Sequence, residues 1–340
     1  MKTKILLTVA AAVRLLLAVV SLTARQAHAQ DNTSEVPVTI KDSDLHRFLF
    51  STGNPDGKLG ALSRPAGSQG PETETADDFV LTQATVISGA SIHGLIVPTE
   101  SSAPSISRVE VEIYHVFKLD SDVGRTSGDP LFSTDKVPTR VNSPADVEIG
   151  ADTRDSSDRT LRFDPIQISD FQVQNTVIDR INAKPAQLTT GEGQRRGEQV
   201  EIDITFNPPL FLPAGHYFFR PEVEVSGGNF LFISAPRPIT TGTPFPAGTT
   251  DLQAWIRNTA LKPDWLRIGT DIVGVGTFNM TFSLSGNSIP EAGTPGQANC
   301  HEQTVSAMAT QFGGMHAAAQ TLGYSSVAAL QDGIRVFCEE

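Results

Sequence analysis

Apolar and polar residues alternate along the middle of this chain. In the clearest segment, Val109, Val111 and Ile113 are separated by Glu110 and Glu112. A period of two residues is typical of a β-strand that has one face in a core and the other in water. Further strands are predicted at 79–81, 91–97, 161–163, 200–206, 215–220, 230–234 and 278–284. The pattern therefore predicts a mainly β protein.

Turn-forming residues separate these segments, and no strand–helix–strand rhythm accompanies them. Several short strands with regularly exposed polar faces favour an antiparallel β-sandwich of jelly-roll or Greek-key type. Three long polar stretches, at 119–131, 138–159 and 183–198, interrupt the strands, and we expect loops there. Arg195 and Arg196, in the third stretch, are expected to form an exposed, protease-sensitive surface.

After residue 299 the apolar period changes from 2 to 3.6, which is typical of helices. Val305 and Phe312 share one helical face, and two glycines follow. A second short helix is predicted over 315–322, and Ser325 or Ser326 can cap a third. The fold class is therefore an antiparallel sandwich with a small C-terminal helical tail.

The first residues have the order of a secretory signal peptide. Lys2 and Lys4 precede an apolar run, and Ala27-His28-Ala29 supplies a small-x-small cleavage site. The apolar run contains Arg14 and is short for a membrane span. We predict cleavage after residue 29, a periplasmic or secreted location and no integral membrane span in the mature chain. A retained N-terminal anchor is the alternative.

The only two cysteines, Cys300 and Cys338, bracket the helical tail. In an oxidising compartment such a pair predicts a disulfide rather than a metal site. Composition then divides the chain into a signal peptide (1–29), a polar N-terminal arm (30–70), a β-sandwich domain (71–287), a linker (288–299) and a disulfide-closed helical tail (300–340).

The chain is acidic, with a formal net charge of −12 that becomes −16 once the four cations of the signal peptide are removed. A negative surface repels nucleic acid and anionic lipid, so neither is an expected partner. Acidity also keeps many exported proteins soluble, and that is the simpler explanation of the charge.

Three stretches resemble a family of exported bacterial β-sandwich proteins of unknown function. They are ETADDFVL at 74–81, LPAGHYFFRPEV at 212–223, and the block at 234–272 that contains GTPFPAGTTDLQAWIRN and PDWLRIGTDI. The segment from Cys300 to Cys338 is similar to a small Cys-bracketed helical module at the ends of other exported proteins. The resemblance implies a secreted sandwich with a detachable tail, and it implies no activity.

The only two tryptophans lie in a near-repeat, with Arg257 two residues after Trp255 and Arg267 two residues after Trp265. Exposed indole faces can stack on sugar rings, and neighbouring arginines can bind acidic groups, so these four residues form a candidate ligand platform. The favoured interpretation is structural, because the segment is dense in apolar residues.

In that structural interpretation, Thr250-Asp251 caps a short helix and Trp255 lies on its buried side. Trp265 then covers the edge of the sandwich. The two arginines would pair with acidic neighbours in the sequence, namely Asp251, Asp264 or Asp271.

Acidic loops suggest one metal site. Asp120, Asp122 and Asp129 share a loop, and exported β-sandwiches often stabilise such loops with Ca²⁺, which prefers carboxylate and carbonyl oxygens. Further candidates are Asp152, Asp155, Asp158 and the pair Asp77-Asp78. Solvated charges are the favoured explanation of these acidic residues, a structural calcium ion is the alternative, and no other cofactor is expected.

Motifs for nucleophilic or metal catalysis are absent from the sequence: it contains neither G-x-S-x-G nor H-E-x-x-H. Paired carboxylates, as a glycosidase needs, could come from three same-face pairs on strands: Glu110/Glu112, Glu201/Asp203 and Glu222/Glu224. We therefore expect an exported, non-catalytic binding or structural module whose ligand is a glycan or cell-envelope component. The alternative is an extracytoplasmic carbohydrate-active enzyme with a carboxylate pair on a sheet face.

Overall fold

A computed structural model of the chain describes residues 47–67, 70–116, 142–148, 153–181, 188–261 and 264–339. Within these residues, two β-sheets enclose an apolar core, and three helices follow at the C-terminal end. The predicted fold class, a mainly antiparallel β-sandwich with a small helical tail, is confirmed. The signal peptide and the first part of the N-terminal arm lie outside the described residues.

The described strands, numbered in chain order, form a nine-stranded and a seven-stranded sheet. The nine-stranded sheet contains β1 (Arg47–Ser51), β2 (Leu59–Leu62), β4 (Thr85–Pro98), β8 (Leu161–Val173), β9 (Asn175–Val177), β10 (Arg195–Leu212), β12 (Gly228–Ala235), β15 (Asn279–Met280) and β16 (Phe282–Ser288). The seven-stranded sheet contains β3 (Thr73–Leu81), β5 (Ser105–Val116), β6 (Pro144–Glu148), β7 (Arg154–Asp155), β11 (Gly215–Ser226), β13 (Trp255–Asn258) and β14 (Leu266–Arg267).

The long strand β4 organises the nine-stranded sheet. One of its edges pairs with β10, and the other pairs with β16 along its first half and β12 along its second half. Beyond β10 lies β8, which pairs with β10 alone among the described strands. In the seven-stranded sheet the order is β14-β13-β3-β11-β5-β6, with β7 also on β5. The described pairings are antiparallel except that of β2 with β9.

The alternating residues meet in the core as their period requires. Val109, Val111 and Ile113 of β5 and Ile202 of β10 are all at most 1% exposed and belong to one apolar cluster. Burial of these side chains from both sheets supplies the main driving force for folding. The residues between them point to the opposite faces, and on the seven-stranded sheet that outer face carries the charged groups described below.

Local sequence signals were wrong at two places. The segment from Trp255 to Asn258 is strand β13 rather than a helix, because the carboxylate of Asp251 accepts hydrogen bonds from Arg237 (3.3 Å) and Asn279 (3.2 Å) instead of capping a helix. Arg195 and Arg196 begin β10 and pair with β8, so they are not in a loop. The polar stretch at 138–159 also contains β6 and β7.

The helical tail consists of α1 (Cys300–Phe312), α2 (Met315–Leu322) and α3 (Val327–Glu339). Left-handed glycines end α1 and α2, as the sequence predicts, and Ser326 Oγ accepts a hydrogen bond from Ala329 N (3.1 Å) at the start of α3. The predicted disulfide joins Cys300 to Cys338, with their Cα atoms 5.8 Å apart.

The helices pack against the sandwich through a second apolar cluster. It joins Leu330, Ile334 and Phe337 of α3 to Phe211 of β10, and the rings of Phe211 and Phe337 stack with centroids 4.0 Å apart. Ile289, in the segment between sandwich and tail, is fully buried in the same cluster. None of the described helices has the length and apolar character that crossing a membrane requires.

Candidate functional site

The two tryptophans lie in a layer on the outer face of the seven-stranded sheet. Trp255 is 2% exposed and Trp265 is 1% exposed, and they pack with Tyr114 and Phe218. Tyr114 and Phe218 are cross-strand partners on β5 and β11, and their chain neighbours point into the main core. Because neither indole ring is open to solvent, a sugar cannot stack on them, and their burial favours the structural interpretation.

The two arginines of the near-repeat have different partners. Arg257 is 4% exposed, forms an ion pair with Glu74, and places its guanidinium 4.4 Å from the ring centre of Trp265. Arg267 binds Asp271, with Nη2 2.8 Å from Oδ1, which is one of the pairings that the sequence predicts. The sequence did not predict the pairing of Arg257 with Glu74, which follows from the register of β13 with β3.

A buried charge cluster adjoins this aromatic layer. We call it the Arg220 cluster, because the guanidinium of Arg220, 1% exposed, contacts four carboxylates. These are Glu222 (2.7 Å), Glu110 (3.4 Å), Glu74 (3.7 Å) and Glu112, which makes a short ion pair. The register of β11 with β5 creates this cluster, because Glu222 lies opposite Glu110 and Arg220 lies opposite Glu112. The candidate pair Glu110/Glu112 and one member of a second pair, Glu222, therefore belong to an interior network.

Negative charge exceeds positive charge in this cluster. Arg220 and Arg257 face the four glutamates, while Tyr114 donates a hydrogen bond to Glu112 (2.6 Å). At its margin, Arg108 is bound by Asp155 and also contacts Glu110, so it adds little net charge. Like charges held together in a low-dielectric site favour uptake of a proton by one carboxylate.

Glu222 is the group that takes up this proton. Burial raises its pKa to about 8; Arg220 opposes the shift, and the negative charges of Glu74, Glu110 and Glu72 increase it. Burial also raises the pKa of Glu110, although Arg220 and Arg108 oppose that shift. At neutral pH the cluster therefore holds Glu222 mainly as the neutral acid.

Replacement of Glu222 by glutamine is expected to reduce the pH dependence of stability. The folded pKa of Glu222 lies above its ordinary value of 4.5, so the folded protein keeps a proton that the unfolded chain has released. The free energy of unfolding of the wild type should therefore fall as pH rises, by up to about 4 kcal/mol between pH 5 and pH 9 from this group. Urea unfolding of Glu222→Gln at both pH values should show this contribution removed.

Glu224→Gln is the matched control, since Glu224 lies two residues further along the same face of β11 and outside the Arg220 cluster. Its pH dependence should follow that of the wild type. Equal pH dependence in the wild type and Glu222→Gln would show that Glu222 is ionised in the folded protein at neutral pH.

The structure places the metal candidates differently from one another. Asp120, Asp122 and Asp129 lie outside the described residues, so the predicted calcium loop stays a prediction. Asp155 is held by Arg108, and Asp158 accepts hydrogen bonds from the backbone and hydroxyl of Thr160. A search of the described residues for clustered ligands finds carboxylate oxygens of Glu72, Glu74 and Glu222 within 4.8 Å of one another. There the guanidinium of Arg220 lies 2.7 Å from the Glu222 carboxyl group.

A second buried acidic group includes a histidine. Asp78, 1% exposed, lies with Oδ2 2.6 Å from Nε2 of His216 and also accepts a hydrogen bond from Leu252 N (3.1 Å). An imidazole oriented by a carboxylate is the geometry of a general base. Among the described residues, however, no hydroxyl or thiol is hydrogen-bonded to His216. Burial lowers the pKa of His216 to about 4, with Asp251 opposing the shift, so the imidazole is neutral at pH 7. Its contact with Asp78 links β11 to β3.

A cleft of about 440 Å³ lies between the sandwich and the helical tail. Its sandwich wall is a bulge in β10, where the register with β4 shifts between Thr205 and Leu210. Pro208 and Pro209 lie in that bulge, and their carbonyl oxygens accept hydrogen bonds from Nε (2.8 Å) and Nη2 (3.2 Å) of Arg154. Arg154 thereby replaces the strand partner that a bulge removes from the backbone.

The opposite wall of the cleft is one face of α3. Ala329, Gly333 and Val336 recur at helical spacing along that face, while the other face is buried against the sandwich. Gly333 is required there, because a Cβ atom at this position would lie 2.8 Å from the hydroxyl of Tyr324. Asp332 provides an exposed carboxylate at the rim. The cleft is thus mainly apolar, and its charged lining residues are Arg154 and Asp332.

These groups can hold a small molecule better than they can carry out a reaction. Ligand sites are typically concave, largely apolar and of a few hundred Å³, with a few polar groups that fix orientation. The sequence predicted none of these residues as a site, because the cleft depends on how the tail docks on β10. The double proline at 208–209 is the one local signal that marks the bulge.

Comparison of the chain with protein-family models, with curated proteins and with solved structures finds no match. The resemblance to exported β-sandwich proteins therefore stays a prediction from the three sequence stretches.

Proposed function

We propose that this chain is an exported, non-catalytic binding module that holds a small, mainly apolar ligand in the cleft between the sandwich and the helical tail. The cleft itself carries the proposal, because it combines a suitable volume of about 440 Å³ with apolar walls from two elements. Asp332 at the rim and the guanidinium of Arg154 beside the β10 bulge would fix the orientation of a polar end of the ligand.

The buried state of the acidic pairs supports a binding role over an enzymatic one. Glu110, Glu112 and Glu222 contact Arg220 inside the protein, so they cannot flank a glycosidic bond as a hydrolase requires. In the third pair, Glu201 accepts a hydrogen bond from Ser91 (2.9 Å) and lies 3.8 Å from His93 on an open sheet face. No observation on the described residues favours the carbohydrate-active alternative.

Export is part of the proposal. The signal-like N-terminal sequence supports it, and so does the disulfide between Cys300 and Cys338, since disulfides persist in oxidising compartments. The same bond closes the helical tail whose third helix lines the cleft. An extracytoplasmic location thus protects the geometry of the ligand site.

Binding of the neutral dye N-phenyl-1-naphthylamine tests the cleft. We expect dye fluorescence to rise on addition of the protein, with a titration curve that fits one binding site. Ala329→Trp should weaken dye binding at least tenfold, because the indole occupies the cleft. Ala328→Trp adds the same side chain on an exposed neighbouring position of α3 and should bind the dye as the wild type does. Absence of dye binding to the wild type, or equal binding by all three proteins, would contradict the proposal.

A further inference from the structure

Strand β8 forms an open edge of the nine-stranded sheet. It is 13 residues long and pairs with β10 along one side only, within the part of the chain that the structure describes. The other side of such a strand carries backbone N–H and C=O groups that can pair with an added strand. The usual protections against this are short or covered edges, prolines, bulges and charged side chains. Strand β8 contains Pro165 and a bulge at Ile168, but it is long, and no described strand covers its outer side.

The middle of β8 is exposed on both faces. Residues 164–170 are all exposed, including the apolar side chains of Ile166 (45%) and Ile168 (46%). Most exposed apolar residues occur singly. These two lie two positions apart on a strand whose outer edge has no partner among the described strands. A strand added beside β8 would cover apolar surface at Ile166 and pair with the outward backbone groups at the same time.

Acidic groups surround this exposed stretch. Asp164 of β8 is opposite Asp203 of β10, and Asp170 is opposite Glu198. A cross-strand arginine, Arg196, binds Asp170 (2.9 Å), which leaves the Asp164–Asp203 pair as like charges side by side. Like charges in cross-strand positions are destabilising, and a cation from a neighbouring strand would relieve them.

We propose that the open edge of β8 binds an extended, cationic peptide segment of a partner protein as an added β-strand. Backbone hydrogen bonds would supply the affinity. Lysine or arginine side chains of the peptide would lie near Asp164 and Asp203, and their aliphatic stems would pack on Ile166 on the same face of β8. These contacts would supply the selectivity. This edge is separate from the cleft, because the two surfaces share no residues.

A second copy of the chain fits this edge less well. Antiparallel pairing of two β8 strands about Gln167 would set Asp164 of each copy opposite Asp170 of the other. The register shift between Gln199 and Val200 also makes Ile168 an extra residue in β8, so the side chains before and after it do not keep one alternation. The whole chain carries a net charge of −12, which adds repulsion between copies.

The test uses an acetylated, amidated octapeptide of alternating lysine and valine, (Lys-Val)₄, with (Glu-Val)₄ as the charge-reversed peptide. Titration calorimetry at low salt should detect binding of the lysine peptide and none of the glutamate peptide. Hydrogen exchange of the amides of residues 164 and 166–170 should slow on binding, which is the signature of strand addition. Ile166→Lys should weaken binding at least tenfold, and so should the double variant Asp164→Lys/Asp170→Lys.

Val275→Lys is the matched control, because Val275 is 68% exposed and lies outside β8. It changes the net charge as Ile166→Lys does, and we expect binding within twofold of the wild type. Circular dichroism melts verify that each variant is folded. Equal binding by Ile166→Lys and the wild type, or binding without protection of the β8 amides, would overturn the proposal. So would a wild-type dimer that Ile166→Lys converts to monomer, since a second copy would then occupy the edge.

Discussion

Replacement of Arg220 by methionine is expected to destabilise the protein by about 3–5 kcal/mol at pH 7.5. The guanidinium is 1% exposed and contacts Glu74, Glu110, Glu112 and Glu222. Methionine fills similar space but leaves the carboxylates without this cation in a buried site, where uncompensated charge is costly. Urea unfolding of the variant and the wild type at pH 7.5 measures the loss.

Acid should restore much of the stability that this variant loses. Glutamates that lose their cation bind protons more readily. The difference in free energy of unfolding between the variant and the wild type should therefore become smaller as pH falls from 7.5 to 5. Arg196→Met is the control, because the Arg196–Asp170 pair is exposed and such pairs contribute only about 0–1 kcal/mol. If this free-energy difference does not change with pH, loss of packing and not unpaired charge destabilises Arg220→Met.

Truncation of the tryptophans should have an effect of similar size. Each indole is at most 2% exposed, so Trp255→Ala and Trp265→Ala should each cost about 3–5 kcal/mol through lost burial and the cavity left behind. Trp265→Ala also removes the ring that faces the guanidinium of Arg257 at 4.4 Å, and should be the more damaging of the two. Urea melts followed by circular dichroism give both values.

Trp265→Phe separates these contributions. It keeps an aromatic ring beside Arg257, and it removes an indole N–H that has no hydrogen-bond partner among the described residues. The phenylalanine variant should therefore lose clearly less stability than the alanine variant. If the free energies of unfolding of the alanine variants lie within about 0.5 kcal/mol of the wild type, the tryptophans are not core residues. The hypothesis of a ligand platform would then be favoured.

Local pattern was enough to predict most of the secondary structure. Strands β5, β10 and β16 follow from alternation, because each has one face in the core and repeats every two residues. The helices of the tail follow from their period and from the glycines that end them. These signals act within a few residues, so they can be read without knowing what the segment contacts.

Local sequence signals gave the wrong secondary structure where a distant residue or strand binds the group on which the prediction depended. Thr250-Asp251 has the sequence of a helix cap, but Arg237 and Asn279 bind Asp251, and the register with β3 keeps the following residues in a strand. Arg195 and Arg196 have the composition of a loop, but the ladder with β8 extends through them. Backbone pairing with a neighbouring strand outweighed the local preference in both cases.

The sequence by itself determined the elements, the apolar faces that form the core, and the cysteine pair that closes the tail. These depend on short-range periodicity and on residue type. The tertiary structure alone decided that Arg257 pairs with Glu74, that four glutamates surround Arg220, that the tail forms a cleft with the β10 bulge, and that β8 is an open edge. Each of these depends on register or docking between segments far apart in the chain, because charge and hydrogen-bond partners are chosen by proximity in space.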